Sequence, residues 1–227
     1  MSNSSKTLSE DVSIEISNVW KIFGERADEA LKAIKDEGLT KSEVLDQYNA
    51  VVGVADVSFN IKRGEIFCVM GLSGSGKSTL VRHFNRLLEP TAGKIMIDGV
   101  DVMSLGAQQL MQFRNEKISM VFQDAVSSLN PSLTIGYQIA EVYRLRNRCS
   151  QADARRKALE LMDRVRIPSA RTRLNNYPFE FSGGMCQRVM IATALAMDPQ
   201  ILIADDPTTA LDVTGQRQIK ALLADVK

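Results

Sequence analysis

The sequence predicts an α/β fold in which a mainly parallel sheet is covered by helices, and three observations carry that prediction. Short apolar runs of strand length recur at 12–16, 57–61, 65–70, 94–98, 118–122 and 201–204. Segments of helical periodicity alternate with them, most clearly after residues 70 and 184. Between 124 and 178 strand signals vanish altogether, which predicts an inserted helical lobe. The bulk properties agree with a globular domain of this kind. The 227 residues are 44% hydrophobic and 24% charged, with a net charge of +1. That balance gives no electrostatic reason to expect nucleic acid or an anionic membrane as partner.

Each element follows from local pattern. The first ten or so residues are polar, and 1–11 are expected to be loose. Val12, Ile14 and Ile16 alternate with polar neighbours as an early strand, which a turn at 21–24 is expected to end. From Glu25 to Tyr48 the pattern is polar and helical, an insertion over 25–50. Within it Thr40 and Glu43 have the spacing of a capping box. Val57, Phe59 and Ile61 alternate again, and the turn 62–65 leads into a buried strand over 65–70. Leu80, Phe84, Leu87 and Leu88 mark the helix that follows. The stretch 89–93 reads as a loop, 94–98 as a strand ended by Asp98-Gly99, and 118–122 as another short buried strand. Helices are predicted over 135–148 and 151–165, the second with Leu159, Met162 and Val165 on one face. Further helices are predicted over 185–197 and from Thr214 onward.

Cys68, Cys149 and Cys186 are scattered and odd in number, as expected of reduced thiols rather than a disulfide framework. The amino end has no apolar core for a signal peptide. No run approaches the roughly 20 apolar residues of a membrane span, so any membrane association is expected to run through a partner.

The most specific chemistry lies at 71–79, Gly-Leu-Ser-Gly-Ser-Gly-Lys-Ser-Thr. Gly71, Gly74 and Gly76 allow successive backbone N–H groups to curl around an anion, with Leu72, Ser73 and Ser75 between them. Lys77 can reach outer phosphates and Ser78 can offer a hydroxyl to Mg2+. Thr79 continues into a helix whose positive end faces the same charge. A strand before and a helix after give the motif its proper setting, so a nucleoside triphosphate is the expected ligand. Asp205 and Asp206 end the apolar run 201–204. They suit a Mg2+ carboxylate and a general base, or a simple turn cap. Ser182, Gly183 and Gly184 open a long helical stretch beginning at Met185. They read as a second anion site or as an N-cap with a flexible entry.

Taken in order, GLSGSGKST, Gln123 after an apolar strand, FSGGM, ILIADDP and Thr209–Asp212 resemble the ATP-binding subunit of an ATP-binding-cassette (ABC) transporter. The resemblance covers nearly all of the chain from Val12. It implies a P-loop NTPase cassette: a mainly parallel core, an antiparallel β element and an inserted helical lobe. It divides the chain into a core (12–123), a helical subdomain (124–182) and a second part of the core (183–227). It implies ATP and Mg2+ as cofactors, sandwiched between the phosphate loop of one copy and Ser182, Gly183, Gly184 and Met185 of a second. Phe23 would stack on adenine, with a core or strand-end aromatic as the alternative, while Trp20 would pack. Gln123 would sense Mg2+ and the γ-phosphate, Asp205 would hold the metal, Asp206 would be the base and Asp212 would cross the dimer seam. The implied partners are a homodimer mate or second ATPase subunit, a membrane permease docked on 124–137, and indirectly a solute-binding protein, with no nucleic acid. The implied location is the cytoplasmic side of a bacterial inner membrane.

Three features depart from that family pattern. Asp206 stands where glutamate is usual, Met185 where glutamine is common, and the γ-phosphate-contacting histidine of a later strand has no counterpart. The only histidine is His83, expected to be a surface or helix-packing residue. The chain is therefore expected to be cut short before that strand. Residues 19–123, with the helical insertion, resemble ATPases of glycine betaine, proline and choline importers, whereas 124–213 resemble those of dipeptide and oligopeptide importers. The insertion tips the expectation towards quaternary amines. A soluble ABC protein of DNA repair or ribosomes would carry two cassettes or a long coiled coil, and neither is seen. A regulatory subunit that binds ATP with little turnover is the alternative that Asp206 favours.

Overall fold

The computed structural model describes residues 12–207 and 213–224, in two compact units that divide between Leu110 and Met111.

In the first unit four strands form a sheet of order β2-β1-β3-β4, antiparallel throughout. They are β1 (Val12–Phe23), β2 (Val51–Lys62), β3 (Ala92–Ile97) and β4 (Val100–Asp101). Ile14 and Ile16 are buried, opposite Ile97 and Ile95 on one side and Ile61 and Phe59 on the other. β1 does not stop at residue 21 as the sequence predicts but runs on to Phe23. The cause is an irregularity at Asn18, which takes φ 49° where the register slips. Asn18 Nδ2 donates to Asp56 Oδ1 at 2.9 Å, and the Asn18 N–H donates to Ser58 Oγ at 2.7 Å, so side chains replace ladder bonds there. Beyond it Trp20 and Ile22 are buried again.

The β1–β2 connection is helical: α1 (Ala27–Glu37) and α2 (Lys41–Tyr48). Helix α1 ends on Gly38 at φ 72°, whose N–H returns to the Ile34 carbonyl. At the start of α2 the predicted capping box is formed, with Thr40 N–H on Glu43 Oε2 at 2.7 Å and Glu43 N–H on Thr40 Oγ1 at 3.4 Å. Leu31, Ala30 and Val44 pack on Trp20, Ile22, Ala50 and Val52, giving the insertion its own small core. Arg26 closes its base, with its guanidinium 4.7 Å from the Tyr48 ring centre.

The stretch 65–70 departs from expectation. It forms no strand: Ile66, Phe67 and Met70 are exposed, Met70 by 90%. A buried parallel strand exists only through neighbours on both sides, and the unit that holds this stretch builds its sheet from antiparallel strands alone. Helix α3 (Lys77–Phe84) follows, burying Leu80, His83 and Phe84. The turn from β3 to β4 is Asp98-Gly99, both at positive φ as a two-residue hairpin requires.

A polar helix, α4 (Ala107–Lys117), which the sequence reading leaves unassigned, leads into the second unit. There β5 (Ile118–Val121) pairs in parallel with β6 (Ile201–Ala204). Helices α5 (Ala125–Ser128), α6 (Ile135–Asn147), α7 (Gln151–Arg164), α8 (Ala170–Arg173), α9 (Gly183–Leu195) and α10 (Val213–Ala224) complete it. Met162 and Val165 are fully buried, and Leu159 packs at the edge of the same core. Helix α9 is buried on nearly every side, through Cys186, Gln187, Val189, Met190, Ile191, Ala192, Ala194 and Leu195. Among the described residues parallel pairing is confined to β5–β6, and the antiparallel sheet is the larger of the two.

Candidate nucleotide site

In the first unit the site is built on the loop 71–79. Gly74 and Gly76 take φ 77° and 92°, where a side chain would be strained. At Gly76 a Cβ would also lie 2.1 Å from the Gly53 carbonyl oxygen, and at Gly71 it would lie 2.6 Å from Ser75 Oγ. The loop is closed by the Ser75 N–H on the Leu72 carbonyl at 3.2 Å. Gly76 begins α3 with no side chain capping it, so the first N–H groups of that helix, from Lys77, Ser78 and Thr79, keep their capacity to bind an anion. Lys77 Nζ lies across the loop and donates to the carbonyls of Gly71 and Leu72, both at 3.0 Å. Leu72 and Ser73 are exposed. The residues present therefore fit a polyphosphate: glycines whose left-handed backbone or close contacts exclude a side chain, an ammonium across the loop, and an uncapped helix start behind it.

Phe23 ends β1 with its ring part-exposed, and Lys21 Nζ sits 5.1 Å from the ring centre. Trp20 is buried in the insertion core, as a packing residue. His83 is a packing residue too, fully buried on α3. Its pKa falls from 6.5 to about 4, chiefly by desolvation and then by the charge of Lys21, against a small opposing effect of the Thr79 backbone. Gly53 and Lys21 also stand at this site, and sequence reading passes over both. A glycine inside the alternating run of β2 is the signal that marks the first.

In the second unit the parallel register sets Val121 beside Ala204, so Gln123 and Asp206 each lie two residues past the same edge. The Asp205 N–H extends the ladder to the Val121 carbonyl at 2.9 Å, and Asp205 is 3% exposed. Asp206 is exposed and takes φ 45°. Gln123 is exposed as well. The neighbouring Asp124 caps α5, and the N–H of Ser127, with that of Val126, holds its carboxyl below the usual range. Ser182 caps α9 by accepting the Met185 N–H at 3.4 Å, with Gly183 next to it in open space. Met185 leans on the apolar core, so the departure from glutamine there is a packing choice. Arg188 anchors α9 from behind, donating to the Val165 carbonyl at 2.8 Å and to Gln218. Burial, and then the like charge of Arg166, lowers its pKa. Asp212 and Thr209 lie outside the described residues.

Ser78, Gln123 and Asp205 all offer oxygen, the donor a hard cation such as Mg2+ takes. Among the described residues no group of three or more His, Cys, Asp or Glu could hold a metal alone. Ser78 belongs to the first unit and Gln123 and Asp205 to the second, and each alone offers the kind of oxygen that Mg2+ accepts beside phosphate oxygens.

A family model described as ABC transporter matches residues 54–209. The chain belongs to the ABC transporter family. Among curated relatives, this ABC chain is 47% identical over 75% of its length to a probable peptide ABC transporter ATP-binding protein of Sinorhizobium fredii, covering 52% of that protein. It is 42% identical over 88% of its length to the glycine betaine/proline betaine transport system ATP-binding protein ProV of Escherichia coli, covering 48% of that protein. The chain spans about half the length of the curated relatives it matches. Among solved structures it resembles the dimeric ATP-binding cassette MJ0796 bound to ADP and Pi. The TM-score is 0.75 at 32% identity, over 92% of this chain and 81% of that one. Among the described residues of this ABC cassette no helix is long and apolar enough to cross a membrane.

Proposed function

We propose that this chain is the ATP-binding, ATP-hydrolysing subunit of an importer, driving a solute through a membrane permease from the cytoplasmic side of a bacterial inner membrane. The observation that carries the reading is the loop 71–79, with left-handed glycines, Lys77 across its mouth and the uncapped start of α3. In this reading the loop, with Ser78 and Thr79, binds the triphosphate and Phe23 stacks on the base. Asp205, Ser78 and Gln123 hold Mg2+, which when bound neutralises charge on the phosphates. Asp206 orients and deprotonates the attacking water. A second copy, or a second ATPase subunit, presents Ser182, Gly183, Gly184 and Met185 to the same nucleotide, with Asp212 at the seam. Closure is then favoured by ATP and released by hydrolysis. Residues 124–182 act as the helical subdomain between the core parts 12–123 and 183–227. The stretch 124–137 carries the permease contact, a role that exposed Val126 and Tyr137 support. A solute-binding protein would deliver cargo to that permease.

The helical insertion favours quaternary amines such as glycine betaine and choline, together with proline, as cargo. The similarity to ProV reaches over more of the chain than that to the peptide-import relative, in keeping with this. Dipeptides or oligopeptides are the alternative, and the family likeness of 124–213 favours them. Asp206, one methylene shorter than the usual glutamate, favours a subunit that binds ATP with little turnover. Phosphate release decides between these activities: appreciable wild-type turnover supports the transport ATPase, whereas little turnover in the wild type with about 10-fold or more recovery in Asp206→Glu supports the regulatory subunit. Equal, appreciable rates would show that Asp206 serves as well as glutamate and would remove the low-turnover reading. Co-expression with its permease in vesicles, fed labelled glycine betaine or a labelled dipeptide, decides the cargo.

A further inference from the structure

A glycine near the start of β2 touches both halves of the first-unit site. A Cβ on Gly53 would lie 2.7 Å from Phe23 Cε2 and 3.3 Å from Cδ2, so the ring occupies the space a side chain would need. The carbonyl oxygen of the same residue lies under the phosphate loop, 2.1 Å from where a Cβ on Gly76 would stand. The register explains the arrangement. Phe23 pairs with Val51 and Lys21 with Val54, which brings Gly53 beside the ring on the adjacent strand. Lys21 fixes the ring from its own strand, its Nζ 5.1 Å from the ring centre and donating to the Glu89 carbonyl at 2.8 Å.

We infer that Gly53 is a positioning residue for the nucleotide: its bare α-carbon seats the Phe23 ring, and its carbonyl sets the distance from that ring to the phosphate loop. The inference rests on the nucleotide-binding reading above and deepens it. A rigid seat lets base and triphosphate be engaged together without ordering either partner afresh on binding. A methyl group at Gly53 displaces the ring, whereas the loop keeps its own glycines and Lys77. The effect is therefore selective for the base.

Four proteins test this by calorimetry with ATP and with inorganic tripolyphosphate: wild type, Phe23→Leu, Gly53→Ala and the double variant. Gly53→Ala should lose about tenfold in ATP affinity and less than about twofold in tripolyphosphate affinity. The double variant should bind ATP no more weakly than Phe23→Leu alone, because the seat matters only while the ring is there. Wild-type ATP affinity in Gly53→Ala, additive losses in the double variant, or an equal loss for tripolyphosphate would overturn the inference. If Gly53→Ala fails to fold by circular dichroism, the double variant, relieved of the overlap, carries the same comparison against Phe23→Leu. A wild type that binds neither ligand overturns the nucleotide reading itself. One that binds both, with Phe23→Leu unaffected, overturns only the role of the ring and its seat.

Discussion

His83 is the residue whose burial has the clearest measurable consequence. Its pKa is 6.5 in an ordinary setting and about 4 here, so between those values the unfolded chain takes up a proton that the native chain refuses. Stability is full above pH 6.5 and is lost as pH falls through about 4, by about 3 kcal/mol if the whole shift is realised. In His83→Met the unfolding free energy should be flatter across that window, as read by urea denaturation at several pH values. An unchanged acid limb would place the titration elsewhere. Lys77 gives a second expectation at this scale. Lys77→Ala should reduce ATP affinity by at least about 100-fold, through loss of a charge-assisted contact. Unaltered binding in calorimetry would contradict the role of the loop.

Elements differ in how far they can be read from sequence, and the difference is physical. The capping box at Thr40 and Glu43, the Asp98-Gly99 hairpin and the helices α6 and α7 are local interactions, so a few residues suffice to specify them. The stretch 65–70 is apolar enough for a strand, but strand formation depends on partners that no local pattern names. Helix α4 buries only Phe113, leaving almost no periodic signal to detect. The far half of β1 lies past the irregularity at Asn18, which interrupts the alternation. At the site itself the loop 71–79 was legible because its glycines have a conformational reason. Gly53 was not, because its reason is the approach of another strand's side chain. An element-scale expectation follows for the insertion: Thr40→Ala should cost about 1 kcal/mol in chemical denaturation by leaving an N–H of α2 unsatisfied. A cost near zero would mean that α2 is held by Val44 and its apolar neighbours alone.

For the molecule as a whole, the proposed pairing of two copies predicts that mass in solution responds to nucleotide. Light scattering should show a shift from monomer towards dimer when MgATP is added to the wild type. Gly183→Glu isolates the reason. A side chain at Gly183 meets open space, so the fold tolerates it. The carboxylate nevertheless sits where a partner's triphosphate would bind, and dimerisation should weaken at least about tenfold. A variant that pairs as well as the wild type would remove the Ser182 corner from the interface. The chain as a whole carries a net charge of only +1, so its bulk charge neither helps nor hinders such pairing.

Helix α9 runs through the middle of the second unit with almost no bare flank, while its capping residue, Ser182, faces solvent. Such a rod cannot yield along its length. A tug on the exposed tip is felt at once by every neighbour that grips the shaft, among them the end of α7, which Arg188 holds through the Val165 carbonyl. The small serine–glycine corner is thereby a handle on the entire helical body rather than a soft fingertip.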